Sequence, residues 1–343
     1  MARKQGERGR RPTLDDVAAL ANVGRGTASR VLNGSPQVSE STKEAVLAAV
    51  KSLSYMPNQA ARSLVAGRTG AVALVISESE ERIFNEPFFG AVVKGISEGL
   101  SQASRHLVLH LAPARTRTAN ILDFLGSNQV DGVLTMSLRE GDDLPTAVAE
   151  RGVPVVGGGR SSASLDGSWV DVDNRAGGRL AASHLIDRGR GVIASITGPR
   201  DMRSGRERLA GFVEVLEASS IRPDQSLIVE GDFTEGSGYR GMLALLDRRP
   251  DTVAVFAASD MMALGAIRAI RESERTVGGD IAVVGFDDSR EAATAVPRLT
   301  TIRQPARDMG WCMASSIIRL IDEPGIPPIQ IVLPVELVVR DTS

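Results

Sequence analysis

Two sets of residues carry usable chemistry. The first lies in RGTASRVLNG, near the start of the chain. At helical spacing Thr27, Ala28, Val31 and Leu32 turn inward, leaving Arg25, Gly26, Ser29, Arg30 and Asn33 outward. A guanidinium such as Arg25 can bond guanine O6 and N7 together, and short polar side chains add base or phosphate bonds. The second set follows hydrophobic runs in the body. Phe88-Phe89 opens a helix after AVALVI, Arg208 stands one turn into the helix after ITGPRDMRSG, and Phe233 follows LIVEGD. Ser259-Asp260 follows VAVFAA, and Asp287-Asp288 follows IAVVGF. Each has a plainer reading. Asp260 suits a helix N-cap and Asp288 a turn, while Arg208 can pair with Glu207 or Glu214 on its own helix. One of Phe88 and Phe89 belongs in a core, and Phe233 can be a packing residue in a lid.

Other chemistries fail on residue supply. Cys312 is the only cysteine, which excludes an internal disulfide framework or a thiolate metal cluster. His106, His110 and His184 are too few and too scattered for a zinc site, and none neighbours a nucleophile. Gly157-Gly158-Gly159 follows a strand but lacks the rest of a phosphate-binding loop, so it reads as a tight turn. No dinucleotide fingerprint follows a strand. No metal and no cofactor is expected.

The elements that position these residues divide the chain. Residues 1–12 read as a basic arm. Leu14, Val17, Ala18 and Ala21 make one face of a first helix, with Thr13 and Asp16 spaced almost as a capping box. Asn22-Val23-Gly24 turns the chain into a second helix. A third begins near Ser39 or Ser41, buries Val46, Val50 and Leu53, and ends near Tyr55. Two short helices joined by a tight turn form the helix-turn-helix pattern, whose second helix enters the major groove. The segment 57–66 is too short to be a stable helix alone. Packed against its twin in a dimer it can fold over a minor groove, with Leu64 as an apolar wedge.

From Ala71 onward strands alternate with amphipathic helices, the mark of parallel sheets covered on both faces. Roughly ten strands exceed one comfortable sheet, so two doubly wound lobes are expected. Ligands of such sheets bind outside the carboxyl ends of strands, here in the cleft between lobes.

Charge follows the same division. Residues 1–68 hold 11 Lys/Arg and 5 Asp/Glu, a net of +6, whereas the whole chain stands at −2. A basic head on an acidic body points to a polyanion at one end. No apolar run is long enough to span a membrane and the start is no secretory signal, so the cytoplasm is the expected compartment.

The run TLDDVAALANVGRGTASRVLNGSPQVSESTKEAVLAAVKSLSYMPNQAARSL resembles the N-terminal domain of the lactose-repressor (LacI/GalR) family of bacterial transcription regulators. The likeness continues through VDGVL, DNRAGG, HLIDRG, ITGP, RLAGF, EGDFTEGSGY, ASDMMALGAIRAI, DIAVVGFDD and PRLTTIRQP. It covers residues 13 to about 340. The resemblance implies an all-α head on an α/β body of periplasmic-binding-protein type. It implies a homodimeric repressor released from a pseudo-palindromic operator by a small carbohydrate. A corepressor, a non-sugar ligand, a solute-binding protein and a sugar enzyme are the alternatives.

The implied layout is a helix-turn-helix domain at 13–56, a hinge at 57–70 and an effector-binding and dimerisation domain at 71–343. One lobe takes about 71–168 and 300–325, the other about 169–298 and 328–343. Thr13, Arg25, Gly26, Thr27, Ser29, Arg30 and Asn33 are the expected DNA contacts in the head, with Asn58, Ala61 and Leu64 in the hinge. Phe89, Arg208, Phe233, Ser259 and Asp287 are the expected effector contacts. By this likeness Arg208 and Asp287 bond hydroxyls and Phe233 stacks on a sugar face. Family members commonly carry Ser where Gly24 stands and a bulkier residue where Ala28 stands. Met202 occupies the position of an extra Arg in purine-responding relatives, which argues against a purine.

Overall fold

The computed structural model describes residues 12–32, 35–56, 68–113, 118–125, 129–160, 166–188 and 191–343. The chain forms two units that divide at Thr69 and Gly70.

In the first unit, α1 (Leu14–Leu20), α2 (Arg25–Leu32) and α3 (Glu40–Ser52) enclose Val17, Ala18, Ala28, Val31, Val46 and Ala49. The capping box is complete. Thr13 N donates to Asp16 Oδ2 at 2.7 Å, and Thr13 Oγ1 accepts from Asp16 N at 3.4 Å. Asn22 takes a left-handed φ of 52° in the turn between the first two helices. Gly24 caps α2 through its carbonyl, which accepts from Thr27 N at 2.9 Å and Ala28 N at 3.0 Å. It supplies no side-chain cap, so this start lacks a bond worth about 1 kcal/mol elsewhere. Ser39 caps α3, its side chain accepting from Thr42 N.

The second unit opens with β1 (Ala71–Ser77), α4 (Glu80–Asn85), α5 (Pro87–Gln102), β2 (His106–Ala112) and α6 (Thr118–Leu125). β3 (Gly132–Met136), α7 (Leu144–Ala149), β4 (Val155–Gly158) and β5 (Ser168–Val172) complete that run. The second run is α8 (Asn174–Asp187), β6 (Ile193–Thr197), α9 (Arg203–Ala218), β7 (Ile228–Glu230), α10 (Glu235–Arg248) and β8 (Ala254–Ala257). It continues with α11 (Asp260–Glu272), β9 (Ala282–Asp287), α12 (Arg290–Thr294) and β10 (Thr300–Arg303). α13 (Ala306–Asp322), β11 (Gln330–Leu333) and β12 (Glu336–Val338) close the chain.

Among the described residues the strands form two six-stranded sheets, β11-β5-β4-β3-β1-β2 and β12-β10-β9-β8-β6-β7. Every pairing is parallel except β10 with β12. Val- and Ile-rich strands such as β1 and β9 are buried on both faces, as parallel strands under helices require. The first core gathers around Leu74, Ile96, Leu134 and Met313. The second gathers around Ile196, Val255, Met262 and Val283.

The lobe boundaries differ from those expected. Residues 169–172 belong to the first sheet, because β5 pairs with β4 and is buried throughout. Residues 300–303 belong to the second sheet through pairing of β10 with β9. Residues 330–333 return to the first sheet as β11, beside β5. The chain thus crosses between lobes three times: after β5, between β10 and α13, and between β11 and β12. Such short strands carry too little periodicity for a sequence to assign them to a sheet.

Candidate functional site

In the head, α2 presents Arg25 and Arg30 as exposed cations on the expected face. Nothing lies within 4 Å of a side chain added at Gly24 or Gly26, so that face is open. Arg25 Nε lies 3.6 Å from Asp15 Oδ1, with both groups exposed. Such a pair is worth under about 1 kcal/mol and yields readily to a phosphate or a base edge. Arg30 Nε donates to Gly26 O at 3.4 Å and leans on Thr27 Oγ1 at 3.5 Å. Thr27 and Ser29 are half-buried. Asn33, Asn58, Ala61 and Leu64 lie outside the described residues.

In the body, the carboxyl ends of both sheets face one cleft. Its inner chamber is lined by side chains that follow β1, β3, β4, β5, β6, β7, β9 and β10. A continuous polar chain crosses it. Arg160 Nε donates to Asp171 Oδ2 at 2.8 Å, and Asn174 Nδ2 donates to Asp171 Oδ1 at 3.1 Å. Arg208 Nε donates to Asn174 Oδ1 at 2.8 Å, and its Nη1 donates to Ala258 O at 2.5 Å. Asp287 Oδ1 stands 3.9 Å from Arg208 Nη1 and accepts from Gln304 Nε2 at 2.5 Å. The Arg208 guanidinium lies 3.5 Å from the centre of the Phe286 ring. Three arginines (Arg82, Arg160, Arg208) and three carboxyls (Glu86, Asp171, Asp287) line it.

Burial sets the electrostatics. It pushes Asp287 up from 3.8 to about 7, against the pull of Arg208 and with help from Asp260. It pushes Glu86 up from 4.5 to about 7 despite the nearby Arg82 guanidinium. It also draws Arg208 below its ordinary value, with Asp287 opposing.

Phe233 and Asp287, both lining residues, hold left-handed φ values of 70° and 127°. Non-glycine residues adopt these only where the surroundings over-determine them. Gly198 is one such determinant. A Cβ there would stand 2.2 Å from the Phe233 ring.

Arg208, Phe233 and Asp287 therefore converge as expected. Ser259 and Phe89 do not. Ser259 is buried as the N-cap of α11; its Oγ accepts from Met262 N and donates to Phe233 O, both at 3.2 Å. It holds the Phe233 backbone and does not line the inner chamber. Phe89 is buried in the first core, and Phe88 faces the chamber in its place. Asp260 is the first residue of α11 rather than its cap. Its carboxylate accepts from Ser289 N at 2.7 Å and Thr301 Oγ1 at 2.5 Å.

Sequence reasoning missed Arg82, Glu86, Arg160, Asp171, Asn174 and Gln304. Asn174 and Gln304 sit in the DNRAGG and TTIRQP runs, immediately beyond strands, and that position was their signal. Arg82 and Glu86 are spaced i, i+4 and read like an ordinary surface pair.

The lobes also meet beside this chamber. Arg139 donates to both carboxylate oxygens of Asp201 at 2.7 and 2.8 Å. Arg206 donates to Glu140 Oε2 at 2.7 Å, and Glu140 N donates to Asp201 O at 2.7 Å. His106 and His110 lie on the edge strand β2, and His184 bonds Ser343 Oγ at 2.8 Å. Among the described residues no cluster of His, Cys, Asp and Glu fits a metal ion, and no helix is long and apolar enough to cross a membrane.

Residues 13–58 match the family model for bacterial regulatory proteins of the lacI family, and residues 182–343 match a periplasmic binding protein-like domain. The HTH-type transcriptional regulator CelR of Thermobifida fusca is 47% identical over 339 residues, covering 98% of this chain and 100% of that protein. The HTH-type transcriptional repressor PurR of Klebsiella pneumoniae (strain 342) is 36% identical over 303 residues, 87% of each chain. A CelR–cellobiose complex superposes with a TM-score of 0.77 at 46% identity, over 97% of this chain and 100% of that one. The lac repressor dimer bound to operator and the anti-inducer ONPF superposes at 0.86 with 31% identity, over 97% and 99% of the two chains. The chain belongs to the lacI family of bacterial regulatory proteins, transcription regulators that join a helix-turn-helix head to a periplasmic-binding-protein-like body.

Proposed function

We propose that this regulator is a homodimeric repressor, released from a pseudo-palindromic operator by a small neutral carbohydrate bound between its lobes. The convergence of hydrogen-bonding side chains and ring faces in the inner chamber carries the reading. Three arginines and three carboxyls offer directional donors and acceptors to neighbouring hydroxyls. Phe88 and Phe233 add ring faces, as a sugar with alternating polar and apolar surfaces requires. The cellobiose in the CelR complex makes a β-linked glucose disaccharide the first ligand to try.

On DNA, Thr13, Arg25, Gly26, Thr27, Ser29 and Arg30 form the contact face, with Arg25 nearest the base edges. Two heads on a two-fold axis read two half-sites. The sugar must bind one lobe arrangement better than the other to shift the equilibrium. The protein acts in the cytoplasm and binds its sugar without converting it.

The test is a DNA-shift titration on the upstream region of its own gene, at fixed salt, against a panel of neutral sugars. Specific binding released by one sugar supports the whole reading. Binding indifferent to every sugar removes the carbohydrate and leaves a corepressor or a protein partner. Conversion of any sugar in the same mixture overturns the non-catalytic assignment.

A further inference from the structure

Two arginines of the first lobe share one carboxylate. Glu78 follows β1 directly, and Ser79 N donates to its Oε1 at 3.1 Å. Its Oε2 accepts from Arg82 Nη1. Arg139 Nη2, from the turn after β3, stands 3.8 Å from the same oxygen. Glu78 is 6% exposed and Arg82 8%, whereas the Arg139 side chain is 30% exposed.

Both arginines reach neighbouring residues of the second lobe. Arg139 holds the Asp201 carboxylate. Arg82 Nη1 lies 4.0 Å from Met202 Sδ, and the Arg82 guanidinium stacks over the Phe233 ring at 4.6 Å. Arg82 lines the effector chamber and Arg139 does not. One buried carboxylate therefore joins a chamber wall to the inter-lobe clasp.

The alternatives open to each group are few. Arg82 has a second carboxylate in Glu86, whose Oε2 lies 2.9 Å from its Nε. Among the described residues Glu78 meets no cation within 4 Å besides Arg82 and Arg139. A buried carboxylate stripped of its cation is costly. If Arg82 leaves, Arg139 is the replacement, and closing the remaining gap draws it off Asp201.

We propose that Glu78 is a coupling residue that passes the state of the effector chamber to the inter-lobe clasp. With Arg82 on Glu78, Arg139 stays on Asp201 and the lobes are clasped. A ligand that draws Arg82 into the chamber turns Glu78 to Arg139, and the clasp loosens. The two arginines thus exchange on one carboxylate, which is a discrete two-state element biased from the chamber. This rests on the chamber being the effector site, whereas its test needs no ligand.

The clasp carries its own reporter. Glu140 N donates to Asp201 O at 2.7 Å across the lobes, so exchange of the Glu140 amide hydrogen reads their parting. The experiment follows that amide by hydrogen–deuterium exchange in the full, ligand-free chain. It compares the unaltered protein with R82M, E78Q and E78Q/R82M, with a melting curve for each. R82M leaves Glu78 to Arg139 and is expected to speed exchange at Glu140 about tenfold or more. E78Q abolishes the competition for Arg139, so its exchange is expected to be no faster than that of the unaltered protein. E78Q/R82M is expected to match E78Q within about twofold. Three results overturn the coupling and leave the effector assignment standing: faster exchange in E78Q, no acceleration in R82M, or equal acceleration by R82M with and without Glu78. Should R82M fail to fold, E78Q decides alone, since loss of a merely structural ion pair would speed the exchange.

Discussion

Raising the pH from 5 to 8 destabilises the ligand-free protein, and the Glu86→Gln variant escapes part of that loss. Glu86 is pushed from its ordinary 4.5 to about 7 by burial, with Arg82 opposing. A carboxyl whose folded-state value is raised holds its proton more tightly in the folded chain than in the unfolded one. Below 4.5 both states are protonated and the group costs nothing. Between 4.5 and 7 the unfolded chain releases the proton first, and above 7 the cost is complete. From 4.5 to about 7, at about 1.4 kcal/mol per pH unit, the loss amounts to ~3 kcal/mol. Asp260 and Asp287, also pushed to about 7, add losses of the same sign. The comparison between variant and parent isolates Glu86, since a carboxamide has no proton to release. The assay is urea unfolding of the full chain at pH 5 and pH 8, followed by fluorescence of the buried Trp169. The parent is expected to lose ~3 kcal/mol more than E86Q across that interval. Equal losses in the two proteins would refute the assignment of a buried, reluctantly ionised Glu86.

Three further outcomes are expected. Gly198→Ala drives Phe233 from its place, since the added Cβ meets the ring at 2.2 Å; effector binding falls by tenfold or more and thermal stability drops by about 1–3 kcal/mol, with operator binding retained. Calorimetry and a melting curve read both effects. Arg139→Ala opens the part-exposed inter-lobe clasp with Asp201, which is worth under about 1 kcal/mol, so effector affinity weakens less than about fivefold with no cavity-lining side chain altered. Arg25→Ala is expected to cost the specific operator about 1–3 kcal/mol while binding to random DNA changes far less, measured by anisotropy at fixed salt.

The features legible in the sequence were those fixed by period and by position beyond a strand. Val17, Ala18, Ala28, Val31 and Val46 line the core of the head because helical spacing leaves them no other face. Arg208, Phe233 and Asp287 reach the cleft because parallel sheets place every post-strand turn at one edge. Register inside an element was not legible. Phe88 and Phe89 are neighbours in sequence, and a turn of about 100° sends one to the cavity and the other to the core. Ser259 follows a strand as a ligand contact should, yet the start of α11 claims its hydroxyl first. Arg82, Glu86, Arg160 and Asp171 are distant along the chain or spaced like surface pairs. Only the convergence of the strand ends brings them together, with Arg82, Glu86 and Asp171 buried. The three crossings were hidden for a related reason: β10, β11 and β12 are three or four residues long, and β11 pairs with a strand about 160 residues earlier.

Those crossings also set the order in which the molecule can be completed during synthesis. The first sheet lacks its edge strand until residues 330–333 emerge, because β11 is the outer neighbour of β5. Its core stays open until α13 arrives with Met309, Met313, Ala314 and Ile317. By then β6 through β10 of the second sheet have already left the ribosome. The lobe that begins first is therefore finished nearly last, and for much of translation it presents an uncovered apolar face to its neighbours. A chain cut short after the first lobe's strands but before residue 306 leaves that face bare, so ribosome stalling there yields aggregation-prone fragments rather than a half-working sensor.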